Sequence, residues 1–106
     1  MNFSEQYKVI ENRFMENDTA AISKNYTAQF HITGKDGGDI FFSYMNGKKF
    51  IEPVKHNRAD IDITMSCDTF DEFMSGRLDG FRAFTTGKIK ASGNVMLALA
   101  LYNSFR

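Results

Sequence analysis

The first fourteen residues carry apolar side chains at helical spacing. Steps of four, three and four residues separate these side chains, as on one face of a helix. They are Phe3, Tyr7, Ile10 and Phe14. Asn2 and Glu5 have the spacing of a capping box at the start of that helix. The pattern predicts a first helix here and a short second helix through Ala20, Ala21 and Ile22.

From Tyr26 the period changes to two residues, which is typical of half-buried strands. Three strands are predicted, over residues 26–33, 39–45 and 49–54. Turn residues separate them, and Asn46-Gly47 is a strong hairpin signal because both residues tolerate a positive φ. Pro53 lies near the end of the third strand and lacks a donor for a sheet hydrogen bond. That strand is therefore expected at an edge of the sheet.

The second half of the chain continues with a strand, two short helices, a strand and a last helix. Residues 60–66 alternate most cleanly, and Asp68 and Asp79 are placed to cap the two short helices. Gly87 ends the second of them, and residues 88–92 form the fifth strand. Asn94 then opens directly onto the apolar run VMLALALY.

Helices grouped at the ends of a sheet predict an α+β fold in which helices cover one face and water covers the other. The polar set expected on the water face is Thr27, Gln29, His31, Asp60, Asp62, Thr64, Lys88 and Lys90. Lys88 and Lys90 are placed to balance the aspartates across strands.

Length and composition limit the classes of function. A chain of 106 residues, 42% hydrophobic and 25% charged, is expected to form one globular domain over residues 1–106. Its 13 basic and 13 acidic residues give no net field toward nucleic acid, which is excluded as a partner. The charged N-terminus leaves no signal-peptide segment, and the single Cys67 fits a reducing compartment. A cytoplasmic location is expected.

The polar candidates for chemistry are few. Asp60 and Asp62 share one strand face, as an acid–base pair would, but a solvated sheet face explains them more simply. His31 and His56 have no second ligand at metal-binding spacing, so neither a metal nor a cofactor is predicted. A small isomerase or hydrolase using Asp60, Asp62 or His31 stays open as an alternative.

The apolar residues exceed what one core face requires. The two short helices carry phenylalanines and a methionine, and the last helix is apolar around more than one side. Ordinary core packing, a lipid ligand or a second subunit could each cover that surplus. Methionine and phenylalanine linings suit a flexible apolar ligand.

The order of motifs in this half resembles a known family. Asp68-Thr69-Phe70 opens a short helix, Gly76-Arg77-Leu78 forms a turn, an aromatic helix follows over residues 81–84, and GKIKASGN spans residues 87–94. This succession resembles the sterol carrier protein 2 family, also called nonspecific lipid-transfer proteins, in single-domain form. The chain departs from the family at Gly80, where a proline is usual.

The resemblance implies a five-stranded mixed sheet with a crossover between the third and fourth strands, and an apolar tunnel between sheet and helices. The expected ligand is a fatty acyl chain, acyl-CoA, phospholipid or sterol, and no catalysis is implied. The residues expected to bind it are Phe70, Phe73, Met74, Phe81, Phe84, Ile89, Met96, Leu97, Leu99 and Ala100.

A second hypothesis is an interaction module, because domains resembling this family also occur as appendages of larger enzymes. It predicts a homodimer through Met96, Leu99 and Tyr102, whereas the lipid hypothesis allows a monomer. Transient membrane contact is a further expectation, with basic residues at Lys48, Lys49, Lys55 and Arg58.

Overall fold

The structure, a computed structural model, describes residues 2–16, 25–56 and 58–104. Helix α1 spans Phe3–Glu16, and its buried residues Gln6, Ile10 and Phe14 lie one turn apart. The Asn2 Oδ1 atom accepts from the Glu5 backbone N–H at 2.9 Å, so the predicted capping box is confirmed on its Asn2 side. The short helix predicted through residues 20–22 lies outside the described residues.

Strands β1 (Tyr26–Thr33), β2 (Gly38–Met45) and β3 (Lys48–Glu52) form an antiparallel meander. Asn46 and Gly47 make the hairpin turn with φ values of 53° and 79°, as the sequence predicted. The prediction extended β3 to residue 54, whereas the strand ends at Glu52, one residue before Pro53. A proline directly after the strand fits this end, because it cannot donate to the ladder.

Strand β4 (Ile61–Ser66) pairs in parallel with β1, and β5 (Ile89–Gly93) pairs antiparallel with β4. The strand order is β3-β2-β1-β4-β5, so the sheet is mixed and the chain crosses over between its third and fourth strands. β3 lies at an edge. The predicted fold class and edge position are confirmed.

Three helices complete the chain: α2 (Cys67–Met74), α3 (Gly80–Thr85) and α4 (Val95–Ser104). Asp79 caps α3 as predicted, accepting from the Arg82 N–H at 3.1 Å. The predicted cap at Asp68 is wrong, because Ser66 caps α2 by accepting from the Thr69 N–H, and Asp68 lies within the first turn. No helix within the described ranges is long and apolar enough to cross a membrane.

The core lies between the helices and one face of the sheet. Inward side chains of β1, β2 and β4, among them Phe30, Phe42 and Ile63, pack beneath α1 and α2 and are buried. Arg13 of α1 donates to the Met74 carbonyl at 2.7 Å, and Gln6 donates to the Asp71 carboxylate. These bonds fasten α1 to α2 at the edge of the core.

The opposite sheet face is not uniformly exposed to solvent, and the prediction that Gln29 is exposed there is wrong. Gln29 is fully buried because the segment after β3 folds back over this face. Its Nε2 atom donates to the Val54 carbonyl at 3.1 Å, and its Oε1 atom accepts from the His56 N–H at 2.8 Å. The His56 ring stacks on Phe41 at 3.7 Å between centroids. A buried amide is tolerated here because both of its ends are hydrogen-bonded.

The expected cross-strand balance of lysines and aspartates is also absent from the described face. Asp62 instead contacts the His31 Nε2 atom at 3.0 Å, while Asp39 contacts Nδ1 of the same ring at 2.8 Å. Lys88 lies 3.9 Å from Glu72 of α2. Register explains the difference, since Asp62 pairs with Ser92 and Lys90 pairs with Thr64.

Candidate functional site

A small apolar cavity lies between the sheet and the three later helices. Its volume is about 20 Å³, room for about one water-sized molecule. Every one of β1, β4, β5, α2, α3 and α4 contributes to its wall. The lining residues are Phe30, Ile63, Met65, Phe73, Gly80, Phe84, Ile89, Ala98 and Tyr102.

Local periodicity brings these side chains to one place. Ile63 and Met65 are two residues apart on β4 and therefore point to the same sheet face. Gly80 and Phe84 lie one turn apart on α3, as Ala98 and Tyr102 do on α4. The cavity thus lies where the alternation of β4 and the helical periods of α3 and α4 bring apolar residues together.

Tyr102 closes the side of the cavity between α3 and α4. Its hydroxyl donates to the Leu78 carbonyl, and its ring packs edge-on against Phe73 with centroids 5.1 Å apart. A Cβ atom built on Gly80 would lie only 2.4 Å from the Tyr102 ring. Glycine is needed at position 80 because the Tyr102 ring occupies the space of a side chain there.

The predicted ligand-binding residues divide into several groups in the structure. Phe73, Phe84 and Ile89 line the cavity. Phe70, Met74 and Leu97 are buried in the adjoining core, and Ala100 is half-buried. Phe81 and Met96 lie on the surface, 72% and 74% exposed. The prediction for the Leu99 side chain lies outside the described residues.

Six lining residues were not among the predicted set. Three come from the sheet, where the alternation already pointed them inward: Phe30, Ile63 and Met65. Ala98 and Tyr102 follow from the helical period of α4. Gly80 had a signal of another kind, since glycine replaces the proline usual in the family.

The polar candidates lie away from this cavity. Asp62 alternates with Ile63 on β4 and therefore lies on the strand face opposite the cavity. Asp60 lies one residue before β4, and its Oδ2 atom accepts from the Thr27 N–H at 2.8 Å. His31 lies on that face between Asp39 and Asp62. Among the nine lining residues, only Tyr102 carries a polar side-chain atom, and that hydroxyl is already bonded. The wall offers apolar contact and no acid–base pair.

Comparison with known proteins gives one family and several relatives. The model of a family described as the SCP-2 sterol transfer family matches residues 8–106. Hydroxysteroid dehydrogenase-like protein 2 of Mus musculus is 32% identical over 98 residues, which are 92% of this chain and 20% of the relative. A fatty acid-binding protein of Yarrowia lipolytica (strain CLIB 122 / E 150) is 36% identical over 75 residues, 71% of this chain and 52% of the relative.

The chain spans about a fifth of the length of the first relative and about half of the second. Among solved structures, palmitated SCP2L2 from Aedes aegypti superposes with a TM-score of 0.80, covering 100% of this chain and 96% of that one. The two sequences are 18% identical, so this likeness concerns the fold alone.

Proposed function

The chain belongs to the SCP-2 sterol transfer family, as its motifs predicted, and from this premise we propose that it binds an apolar lipid between its sheet and its helices. The ligand is a fatty acyl chain, acyl-CoA, phospholipid or sterol. The role is binding or carrying, without catalysis.

The observation that carries this proposal is the composition of the cavity wall. Side chains from three strands and three helices converge on one point, and all of them present apolar surface. Ligand pockets of this character bind through burial of apolar area, with few polar groups to fix orientation. In support, one relative is named a fatty acid-binding protein, and the solved SCP2L2 structure that shares this fold is palmitated.

The cavity must widen to hold a lipid. Its volume of about 20 Å³ is far below the ~300–1,000 Å³ of small-molecule pockets. Helix α3 has only six residues, and it lies between Gly76 and Gly87, whose positive φ values of 78° and 81° mark turns on either side. Met65 and the phenylalanines of the wall can change rotamer as the space opens. Movement of α3 relative to the sheet is the proposed opening.

A specific observation favours a second candidate, an interaction module. The chain matches only a fifth of the mouse relative, so a domain of this kind forms part of a longer protein there. Phe81 and Met96 present exposed apolar side chains that a partner could cover. Tyr102, expected in such an interface, is instead buried against its own chain.

A binding titration tests the lipid proposal. We expect a fluorescent fatty acid to bind the wild type, and Ala98→Leu to weaken binding at least tenfold because the larger side chain fills the cavity. Phe84→Asp should act in the same direction by placing a charge in the apolar wall. Phe50→Asp serves as the control, because Phe50 is half exposed on edge strand β3. Unchanged affinity in a folded Ala98→Leu variant would contradict the proposal.

Native mass spectrometry separates the two candidates. A mass excess that disappears on denaturation supports the lipid proposal and reports the class of ligand. A bare dimer that Met96→Asp dissociates supports the interaction module instead.

A further inference from the structure

A charged groove lies on the outer side of the wall that encloses the cavity. It has a volume of about 400 Å³ and is formed by the end of α2, the following turn, α3 and the residue before β5. Its lining residues are Glu72, Arg77, Leu78, Asp79, Arg82, Ala83, Thr86 and Lys88.

The groove and the cavity are separated by a single layer of chain. Sequence neighbours alternate between the two spaces in each element: Glu72 with Phe73, Asp79 with Gly80, Ala83 with Phe84, and Lys88 with Ile89. The buried side chains of Leu78 and Ala83 lie within that layer. Displacement of the six-residue α3 would therefore join the charged groove to the apolar cavity.

Three cations and two carboxylates line the groove, and the carboxylates are already engaged. Asp79 Oδ1 accepts from the Arg82 backbone N–H at 3.1 Å, and Glu72 lies 3.9 Å from the Lys88 Nζ atom. Arg77 donates from Nε to the Ser75 hydroxyl at 3.0 Å and forms no ion pair among the residues that the structure describes. The Arg82 guanidinium forms no ion pair within the described part of the chain. Two guanidinium groups are therefore available to an anion.

We propose that Arg77 and Arg82 bind the anionic head group, a carboxylate or phosphate, of the amphiphile whose apolar chain enters the cavity. This inference rests on the proposed lipid-binding function. A guanidinium presents paired N–H donors that match the two oxygens of such a group. The groove supplies the charged end of the site, and the cavity supplies the apolar end.

The test compares two ligands with the same chain, dodecanoate and dodecanol, on the full chain. In the wild type both should bind. Arg82→Gln and Arg77→Gln should each weaken dodecanoate about tenfold, the usual effect of losing one charge-assisted hydrogen bond. Dodecanol affinity should not change. Arg58→Gln removes the same charge outside the groove and should leave both affinities unaltered, and thermal unfolding confirms that each variant is folded.

Each other outcome has a distinct meaning. If both arginine variants bind dodecanoate and dodecanol with wild-type affinity, the head-group site is overturned and the lipid proposal still stands. Binding of neither ligand by the wild type overturns both. A further arm adds inorganic phosphate alone. Arginine-dependent phosphate binding that does not compete with dodecanoate shows a site for free anions and overturns the head-group assignment.

Discussion

At the level of single residues, Gly80 is the clearest case of a position determined by its neighbour. A Cβ atom there would come within 2.4 to 2.7 Å of the Tyr102 ring, which is itself held by Phe73 and by the Leu78 carbonyl. We predict that Gly80→Ala lowers the free energy of unfolding by about 1–3 kcal/mol through overpacking. This direction opposes helix propensity, by which alanine is favoured over glycine by ~1 kcal/mol. Urea denaturation measures the change.

The same substitution in a Tyr102→Leu background is the control for Gly80→Ala. The leucine lacks the ring edge that the new methyl group would contact. The cost of the alanine should therefore fall to near zero, and a cost that persists in this background would show that the Tyr102 contact is not its cause.

Tyr7 gives a prediction for alkaline pH. Burial, with the nearby Glu11 carboxylate, raises the pKa of the Tyr7 hydroxyl from 10.0 to about 12. The unfolded chain releases this proton at lower pH than the folded chain does. The free energy of unfolding should therefore fall as pH rises from 10 toward 12. Tyr7→Phe should reduce that fall, measured by denaturant titration across this range.

Glu11→Gln provides the intermediate case for Tyr7. It removes the carboxylate, 3.3 Å from the Tyr7 hydroxyl, but leaves the burial in place. A pH dependence between those of the wild type and Tyr7→Phe is expected. Identical alkaline profiles in all three proteins would refute the assignment to Tyr7.

Single residues also show the limit of prediction from sequence. Alternation placed Gln29 on the correct strand face, yet it could not show that the segment bearing Val54 and His56 would cover that face. Phe81 has helical spacing with Phe84, but the residues of α3 that line the cavity are Gly80 and Phe84, and Phe81 lies exposed outside that face. Both differences depend on contacts between segments that are distant or irregular.

At the level of elements, the start of α2 depends on Ser66 rather than on Asp68. The Ser66 hydroxyl accepts from the Thr69 N–H at 3.1 Å and also bonds the Thr69 hydroxyl. We predict that Ser66→Ala lowers stability by about 0.5–2 kcal/mol, because one helix N–H loses its acceptor. Asp68→Asn should cost less, about 0.3–1 kcal/mol, since only a charge near the helix N-terminus is removed. Thermal and urea unfolding of both variants measure the order.

An Asp68→Asn cost larger than that of Ser66→Ala would reverse the assignment of the cap. Sequence alone could not decide between them, since both serine and aspartate are good caps and lie two residues apart. The position at which β4 ends determines which of the two residues caps α2. Ser66 is the last residue of β4 with an extended backbone, φ −74° and ψ 161°, as a cap requires.

At the level of the whole molecule, element order and period predicted most of the fold. The strand patterns, the Asn46-Gly47 hairpin and the Asp79 cap are local signals, whereas the mixed sheet and the crossover between the third and fourth strands came from the family resemblance. The structure adds which strands that crossover pairs in parallel, β1 and β4. No local sequence pattern indicates the volume of the cavity. Its small volume results from side chains of six elements packing together, with Tyr102 bonded to Leu78.

In the proposed opening, the Tyr102–Leu78 hydrogen bond connects the stability of the fold to ligand uptake. The bond joins α4 to the turn before α3. It therefore stabilises the conformation in which α3 lies against Tyr102 and the cavity is small. We predict that Tyr102→Phe lowers the free energy of unfolding by about 1–3 kcal/mol, because the Leu78 carbonyl loses its donor. The same change should increase fatty acid affinity, because a larger fraction of the molecules is already open. Tyr7→Phe, which removes a hydroxyl outside the cavity, should leave affinity unchanged. A Tyr102→Phe variant that is less stable but binds fatty acid no better than wild type would show that this bond does not control opening.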